Sequence, residues 1–161
     1  MRNRSVIASD WPEIWGILEP MIRAGETYTL PRDLDEQAAY KYWMAPEHRV
    51  FVLELEDGGI GGTYYLRTNQ RGGGDHVCNC GYVTAPDLQG RGIARAMAEH
   101  SFETARALGY RAMQFNFVVS SNERAVRLWQ TLGFEIVGRI PAAFHHPTLG
   151  YVGALVMWRS L

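Results

Sequence analysis

With 161 residues, of which 47% are hydrophobic and 20% charged, the chain has the size and composition of one domain built round a single well-buried core. A formal net charge of -1 argues against a sequence-blind grip on nucleic acid, so no nucleic-acid partner is expected. No apolar run is long enough to span a bilayer, and the basic start Met1-Arg2-Asn3-Arg4-Ser5 has no apolar segment behind it, so a soluble, cytoplasmic protein without a membrane partner is expected.

In chain order, Arg4 to Ala8 reads as a first strand. Asp10 with Glu13 then forms an N-cap and capping box for a helix carrying Ile14, Ile17, Leu18, Met21 and Ile22, ended by Gly25. Glu26 to Asp33 is polar and aromatic without a period and reads as a loop, and a short helix follows from Asp35 to Met44, closed by Pro46. Val50 to Glu56 and Ile60 to Arg67, joined by Asp57-Gly58-Gly59, predict an antiparallel hairpin. Thr68 to Asp75, with three consecutive glycines, reads as a flexible loop.

Val77 to Val83 is an apolar run that leads through Thr84-Ala85-Pro86 into Asp87-Leu88-Gln89-Gly90-Arg91-Gly92-Ile93-Ala94, after which Ile93, Met97, Ala98, Phe102, Ala105 and Leu108 keep helical spacing. Strand, tight turn and helix in that order leave unpaired N–H groups at the positive end of a helix dipole, a ready phosphate site, with Arg91 and Arg95 able to add charge. The Gly-x-x-x-x-Gly-Lys-Ser/Thr and Gly-x-Gly-x-x-Gly patterns of nucleotide-binding loops are absent. Met113 to Val119 is a further strand. Asn122 N-caps a helix with Ala125, Val126, Leu128, Trp129 and Leu132 on its apolar side. Phe134 to Arg139 and Leu155 to Arg159 are the last strands, joined by a long loop holding Pro141, His145, His146 and Pro147. Strands before, between and after helices predict an α/β fold with a mixed central sheet flanked by helices, one domain over residues 1–161. Cys78 and Cys80 would share one strand face too closely for an unstrained disulfide, and they read as reduced thiols. Neither they nor the scattered histidines have ligand spacing, so no metal is expected.

Gln89-Gly90-Arg91-Gly92-Ile93-Ala94 resembles the Arg/Gln-x-x-Gly-x-Gly/Ala signature of the GCN5-related N-acetyltransferases (GNAT family). The block Asn122-Glu123-Arg124-Ala125-Val126-Arg127-Leu128-Trp129-Gln130-Thr131-Leu132-Gly133-Phe134 resembles that family's Asn-x-x-Ala-x-x-Leu-Tyr-x-x-x-Gly-Phe. The resemblance implies the GNAT fold and acetyl-CoA as co-substrate, with its pyrophosphate on the amides of Gln89 to Ala94. Its pantetheine arm would lie along the backbone of Cys80, Tyr82 and Val83, where two strands splay, and Trp129 would form a wall. Trp129 departs from the pattern: many members carry a tyrosine there, whose hydroxyl can reprotonate the leaving thiolate, whereas an indole N–H is too weak an acid.

Asn79, Asn116 and Asn122, with Gln114 to Ser121 and the ending Ala154-Leu155-Val156-Met157, are similar to the L-azetidine-2-carboxylate (proline-analogue) acetyltransferases and their bacterial relatives. On that resemblance Asn79 and Asn116 hold the nucleophilic amine or a water that takes its proton, and Asn122 contacts the co-substrate. On the residues alone, all three are equally well structural hydrogen-bonding or capping groups. Glu26 and Tyr28 lie on the loop that covers the acceptor in this family. They join His76, His145 and His146 as candidate bases, although each also reads as an ordinary exposed loop residue.

The activity implied is transfer of an acetyl group to the amino group of a small molecule: an amino acid, imino acid or related amine. Acetylation of a protein N-terminus or lysine, and an acyl-CoA binding module without turnover, stand as alternatives. The resemblance also allows a homodimer, for which the residues themselves show no interface.

Overall fold

A computed structural model describes residues 1–161. The strands are β1 (Arg2–Ser5), β2 (Arg49–Glu54), β3 (Ile60–Thr68), β4 (Val77–Thr84), β5 (Ala112–Val119), β6 (Glu135–His146) and β7 (Gly150–Ser160). The helices are α1 (Trp11–Ala24), α2 (Glu36–Trp43), α3 (Ile93–Ala107) and α4 (Glu123–Thr131). All seven strands form one sheet in the order β1-β2-β3-β4-β5-β7-β6, antiparallel everywhere except between β4 and β5. No helix is long and apolar enough to cross a membrane.

The sheet divides the interior in two. Ile14, Ile17, Leu18 and Ile22 recur at helical spacing on α1 and, with Trp43 of α2, cover one face against Val50, Val52 and Tyr65. Met97, Ala98 and Phe102 of α3 and Trp129 of α4 cover the other against Tyr64, Leu66, Met113 and Phe115. Each large aliphatic side chain fully buried here contributes about 1.5–3 kcal/mol. The Trp43 indole N–H donates to Thr63 Oγ1 at 3.1 Å, so its polar edge is not left bare in the core.

The first strand, expected at Arg4 to Ala8, runs instead over Arg2–Ser5. It stops because the Asp10 carboxylate accepts from the Ile7 N–H at 2.8 Å and pairs with Arg4 at 2.8 and 2.9 Å, folding Ala8–Asp10 into a 3-10 turn. That use of Asp10 also removes the expected capping box: no side chain caps α1, and Glu13 accepts from the Ile60 N–H at 2.9 Å, tying the helix to β3.

The long loop expected after Arg139 is also absent. β6 and β7 continue as a hairpin to His146 and Gly150, with an irregularity between Ile140 and Phe144 that takes in Pro141. β6 is the sheet edge, and an edge bulge tolerates the missing proline N–H. His146 is buried and not an exposed loop residue: its Nδ1 accepts from the Thr148 and Leu149 N–H groups at 3.2 and 3.3 Å, holding the turn.

Candidate active site

β4 and β5 leave Val77 and Ala112 side by side and pair only at Val77–Ala112 and Cys78–Met113. Beyond that point they separate, although β4 runs on to Thr84 and β5 to Val119. Two features hold the opening. Asn79 is buried, and its Nδ2 donates to the Gln114 carbonyl at 2.7 Å, so a side chain replaces the ladder where the ladder ends. On its far side β5 meets β7 with a register shift between Phe115 and Val118, a bulge at Asn116-Phe117 that bends β5 away. The result is a cleft of about 830 Å³ running from the start of α3 to the C-terminal end of α1.

At one end lies the turn into α3. Gly90 and Gly92 have φ of 85° and 80°, a left-handed conformation that side chains resist, and a Cβ at Gly92 would meet nothing within 4 Å. The first helical donor is the Ala96 N–H, to the Gly92 carbonyl at 3.0 Å, which leaves the N–H groups of Ile93, Ala94 and Arg95 without an acceptor in the chain. Gln89, Gly90, Gly92, Ile93 and Ala94 line the cleft, as does Arg95. Arg91 does not: its N–H is used by the Leu88 carbonyl at 3.3 Å and its side chain stands exposed, away from the wall. Its place as the second cation is taken by Arg124, on the first turn of α4, whose Nη1 donates to Gln89 Oε1 at 3.2 Å. Orphan amides, an open glycine and two arginines make a cradle suited to a phosphate.

Along the middle of the cleft runs β4. The Val77 carbonyl and the Ala85 N–H both bond to the β3 side, so by strand alternation Asn79, Gly81 and Val83 do the same, and Cys80, Tyr82 and Thr84 turn their backbone groups toward the opening. Val83 lines the cleft, but its backbone faces β3; the neighbouring residue whose backbone faces the opening is Thr84.

The Tyr82 carbonyl accepts from the Tyr28 hydroxyl at 3.3 Å. The Tyr82 phenol points the other way, within 2.7 Å of Ser101 Oγ, and burial pushes it well above its ordinary titration range. Trp129 is 8% exposed and packs on Tyr82 and Phe115 with ring centroids 5.1 and 4.9 Å away. Asn122 lines the cleft while its Oδ1 caps α4 through the Ala125 N–H at 3.3 Å. Cys78 and Cys80 are free and buried; burial pushes Cys78 up to about 12 and Cys80 upward as well, so neither is a nucleophile at neutral pH.

At the other end Asn79 and Asn116 face a chamber walled by tyrosines. Asn116 is half-buried, with its Nδ2 donating to Asn69 Oδ1 at 2.7 Å and its Oδ1 accepting from Gln114 Nε2 at 3.0 Å. Gly81 is needed here: a Cβ would fall 2.6 Å from the Tyr65 ring and 2.8 Å from the Tyr28 hydroxyl. Tyr42 and Tyr65 meet hydroxyl to hydroxyl at 3.3 Å, and His48 stacks on Tyr65 at 4.0 Å. Burial raises the Tyr28 hydroxyl well above its usual range, which removes it as a base. Glu26, exposed at the mouth, is the one carboxylate on the cleft wall, and none of the five histidines lines it. No group of three metal-ligating side chains converges anywhere in the chain.

The sequence profile of the acetyltransferase (GNAT) family matches residues 11–134, from the first helix through the Gly133-Phe134 pair. The chain belongs to the GNAT family. A GCN5-related N-acetyltransferase from Kribbella flavida is 40% identical to this GNAT chain and superposes with a TM-score of 0.95, over 99% of this chain and 97% of its own. A GNAT phosphinothricin acetyltransferase from Sinorhizobium meliloti, solved with acetyl-CoA, shares the fold at a TM-score of 0.86 and 21% identity, over 99% of this chain and 88% of its own. The N-acetyltransferase aca1 of Schizosaccharomyces pombe is 33% identical over 82 residues, which are 51% of this chain and 39% of that protein.

Within this GNAT cleft the sequence pointed to every residue discussed at the phosphate end except Arg124, which stands two places after the capping Asn122. It gave no role to Thr84, Arg67, Asn69 or Gln114, because each owes its position to strand register.

Proposed function

We propose that the chain transfers the acetyl group of acetyl-CoA to the amino group of a small molecule, an amino acid, imino acid or related amine, by direct attack within a ternary complex. The observation that carries this reading is the continuity of one cleft. Orphan helix amides, β4 backbone groups turned away from β3 and a tyrosine-walled chamber follow one another along the β4–β5 opening.

Acetyl-CoA supplies the activated acetyl thioester, and the chain's residues do the rest. Gly92, Ile93, Ala94 and Arg95, with Arg124, hold phosphate; Cys80, Tyr82 and Thr84 take the peptide-like arm as an added strand would be taken. Gln89, Asn122 and Trp129 complete that wall. Asn79 and Asn116 line the cleft together and would meet the arriving amine, as the finer likeness to the L-azetidine-2-carboxylate acetyltransferases implies. The amine nitrogen bonds to the acetyl carbon as the carbon–sulfur bond breaks, and Glu26, directly or through water, takes the amine's proton. Trp129 contributes packing and no proton, so the departing thiolate, with a pKa of about 8.5 as for a free thiol, is protonated by solvent.

The test is release of coenzyme A thiol from acetyl-CoA in the presence of cyclic imino acids, methionine sulfoximine, polyamines or peptides with free N-termini. Turnover with a small amine is expected. Turnover confined to the peptides would replace this acceptor class, and tight acetyl-CoA binding without thiol release across the panel would make the chain a binding module.

A further inference from the structure

Arg67 enters none of the chain's seven ion pairs and none of its side-chain hydrogen bonds. Its Nε is shut off from solvent with no acceptor, one of only two such side-chain atoms in the protein. The residue is half-buried and lines the cleft. In the β3–β4 ladder it pairs with Asn79, so both side chains stand on the same face, next to the Tyr65–Gly81 pair. Burial holds the His48 imidazole below its ordinary range, and the Arg67 charge adds to that effect.

A guanidinium whose Nε is shut off from water with no acceptor is costly, and a ligand reaching its open Nη edge from the cleft would complete it. The planar fork matches a carboxylate. The phosphates are not that ligand, because their cradle lies at the α3 end, whereas Arg67 stands beside Asn79 in the acceptor chamber.

The geometry points to Arg67 as the residue that selects the acceptor: it holds the carboxylate of an amino or imino acid, leaving the amino group free to turn toward Asn79 and Asn116. This rests on the acceptor chamber assigned above. Tyr28, Tyr42 and Tyr65 line the same cleft, suiting a compact, partly apolar side chain or ring. Glu26 at the mouth is the only opposing charge on the wall and repels the carboxylate while attracting the ammonium, which orients the same ligand the same way.

The experiment compares acids with the amines that lack only the carboxylate: L-proline with pyrrolidine, L-methionine with 3-(methylthio)propylamine, and L-phenylalanine with phenethylamine. Each is titrated calorimetrically against the protein saturated with coenzyme A, and each is also assayed for thiol release from acetyl-CoA. At least one acid is expected to bind about tenfold or more tighter than its amine, a preference that Arg67→Gln abolishes and Arg67→Lys restores in part. In the kinetic assay the change should fall on KM more than on kcat. Melting temperature and acetyl-CoA affinity serve as folding controls, and Arg67→Met, equally uncharged, stands in if the glutamine variant melts early.

Equal or better binding of every amine, or an acid preference that survives in Arg67→Gln, overturns the inference. The two readings separate cleanly. An Arg67-dependent acid preference without thiol release keeps this inference and removes acetyl transfer, while thiol release from amines indifferent to Arg67 does the reverse.

Discussion

Replacing Asn79 by alanine tests whether one side chain holds open the gap between β4 and β5. The 2.7 Å bond from Asn79 Nδ2 to the Gln114 carbonyl follows directly on the two backbone pairs that are all the ladder these strands share. Removing it leaves a sheltered carbonyl without that donor, a loss of about 1–3 kcal/mol. The neighbouring cleft lets water reach part of the site, so the expected loss is at the lower end, about 1–2 kcal/mol. For a chain of this size that lowers the melting temperature by roughly 2–8 °C.

The strand edge should also lose its fixed separation from β5. Acetyl-CoA affinity, measured by calorimetry, is then expected to fall by about tenfold, a change of about 1.4 kcal/mol. Asn79→Asp has the same shape but sets an oxygen against the Gln114 carbonyl oxygen, so at neutral pH it should be at least as destabilising as alanine. An alanine variant that melts with the wild type, or an aspartate variant more stable than alanine, refutes the bridging role.

The remaining expectations concern other parts of the same machinery. Gly92→Trp costs about 1–2 kcal/mol through its left-handed backbone but should raise the acetyl-CoA Kd by about a hundredfold or more, and an unchanged Kd would remove the phosphate from the α3 terminus. Asn116→Ala should lower kcat by about tenfold or more with acetyl-CoA affinity within about threefold; a drop in affinity alone would leave Asn116 a structural partner of Asn69 and Gln114. In the Arg4–Asp10 pair, the hydrogen bonds from the Arg4 guanidinium hold the buried Asp10 carboxyl below its usual range. That stability is present above the ordinary carboxylate value of about 4 and is lost as pH falls through the folded value. Asp10→Asn should therefore cost about 2–3 kcal/mol at pH 7 in urea melts and flatten the acid limb of stability against pH; parallel acid limbs would show that the pair contributes nothing.

Local chemistry made much of this protein legible from sequence. The Gly90 and Gly92 turn, the helical spacing behind it, the Asp57-Gly58-Gly59 hairpin and the Asn122 cap each depend on residues a few places apart, and each formed where the pattern put it. The family followed from two such local blocks. Where the sequence pattern misled, a distant partner had won. Asp10 served Arg4 and Ile7 in place of α1, Glu13 served β3, and the stretch after Arg139 became strand because β7 lay alongside to accept it.

The opening itself belongs to the tertiary structure. Nothing within Val77 to Thr84 says that its pairing with β5 stops after Cys78, because that depends on a carbonyl thirty-five positions away and a bulge against β7. Register decided that Thr84 and not Val83 offers its backbone to the cleft, and that Arg67 stands beside Asn79 with no partner of its own. A sequence can specify residues that hold a phosphate, since a helix start is built from neighbours. It cannot display a tyrosine-walled chamber assembled from α1, α2, β3, β4 and β5, whose parts meet only once the strands have chosen their partners.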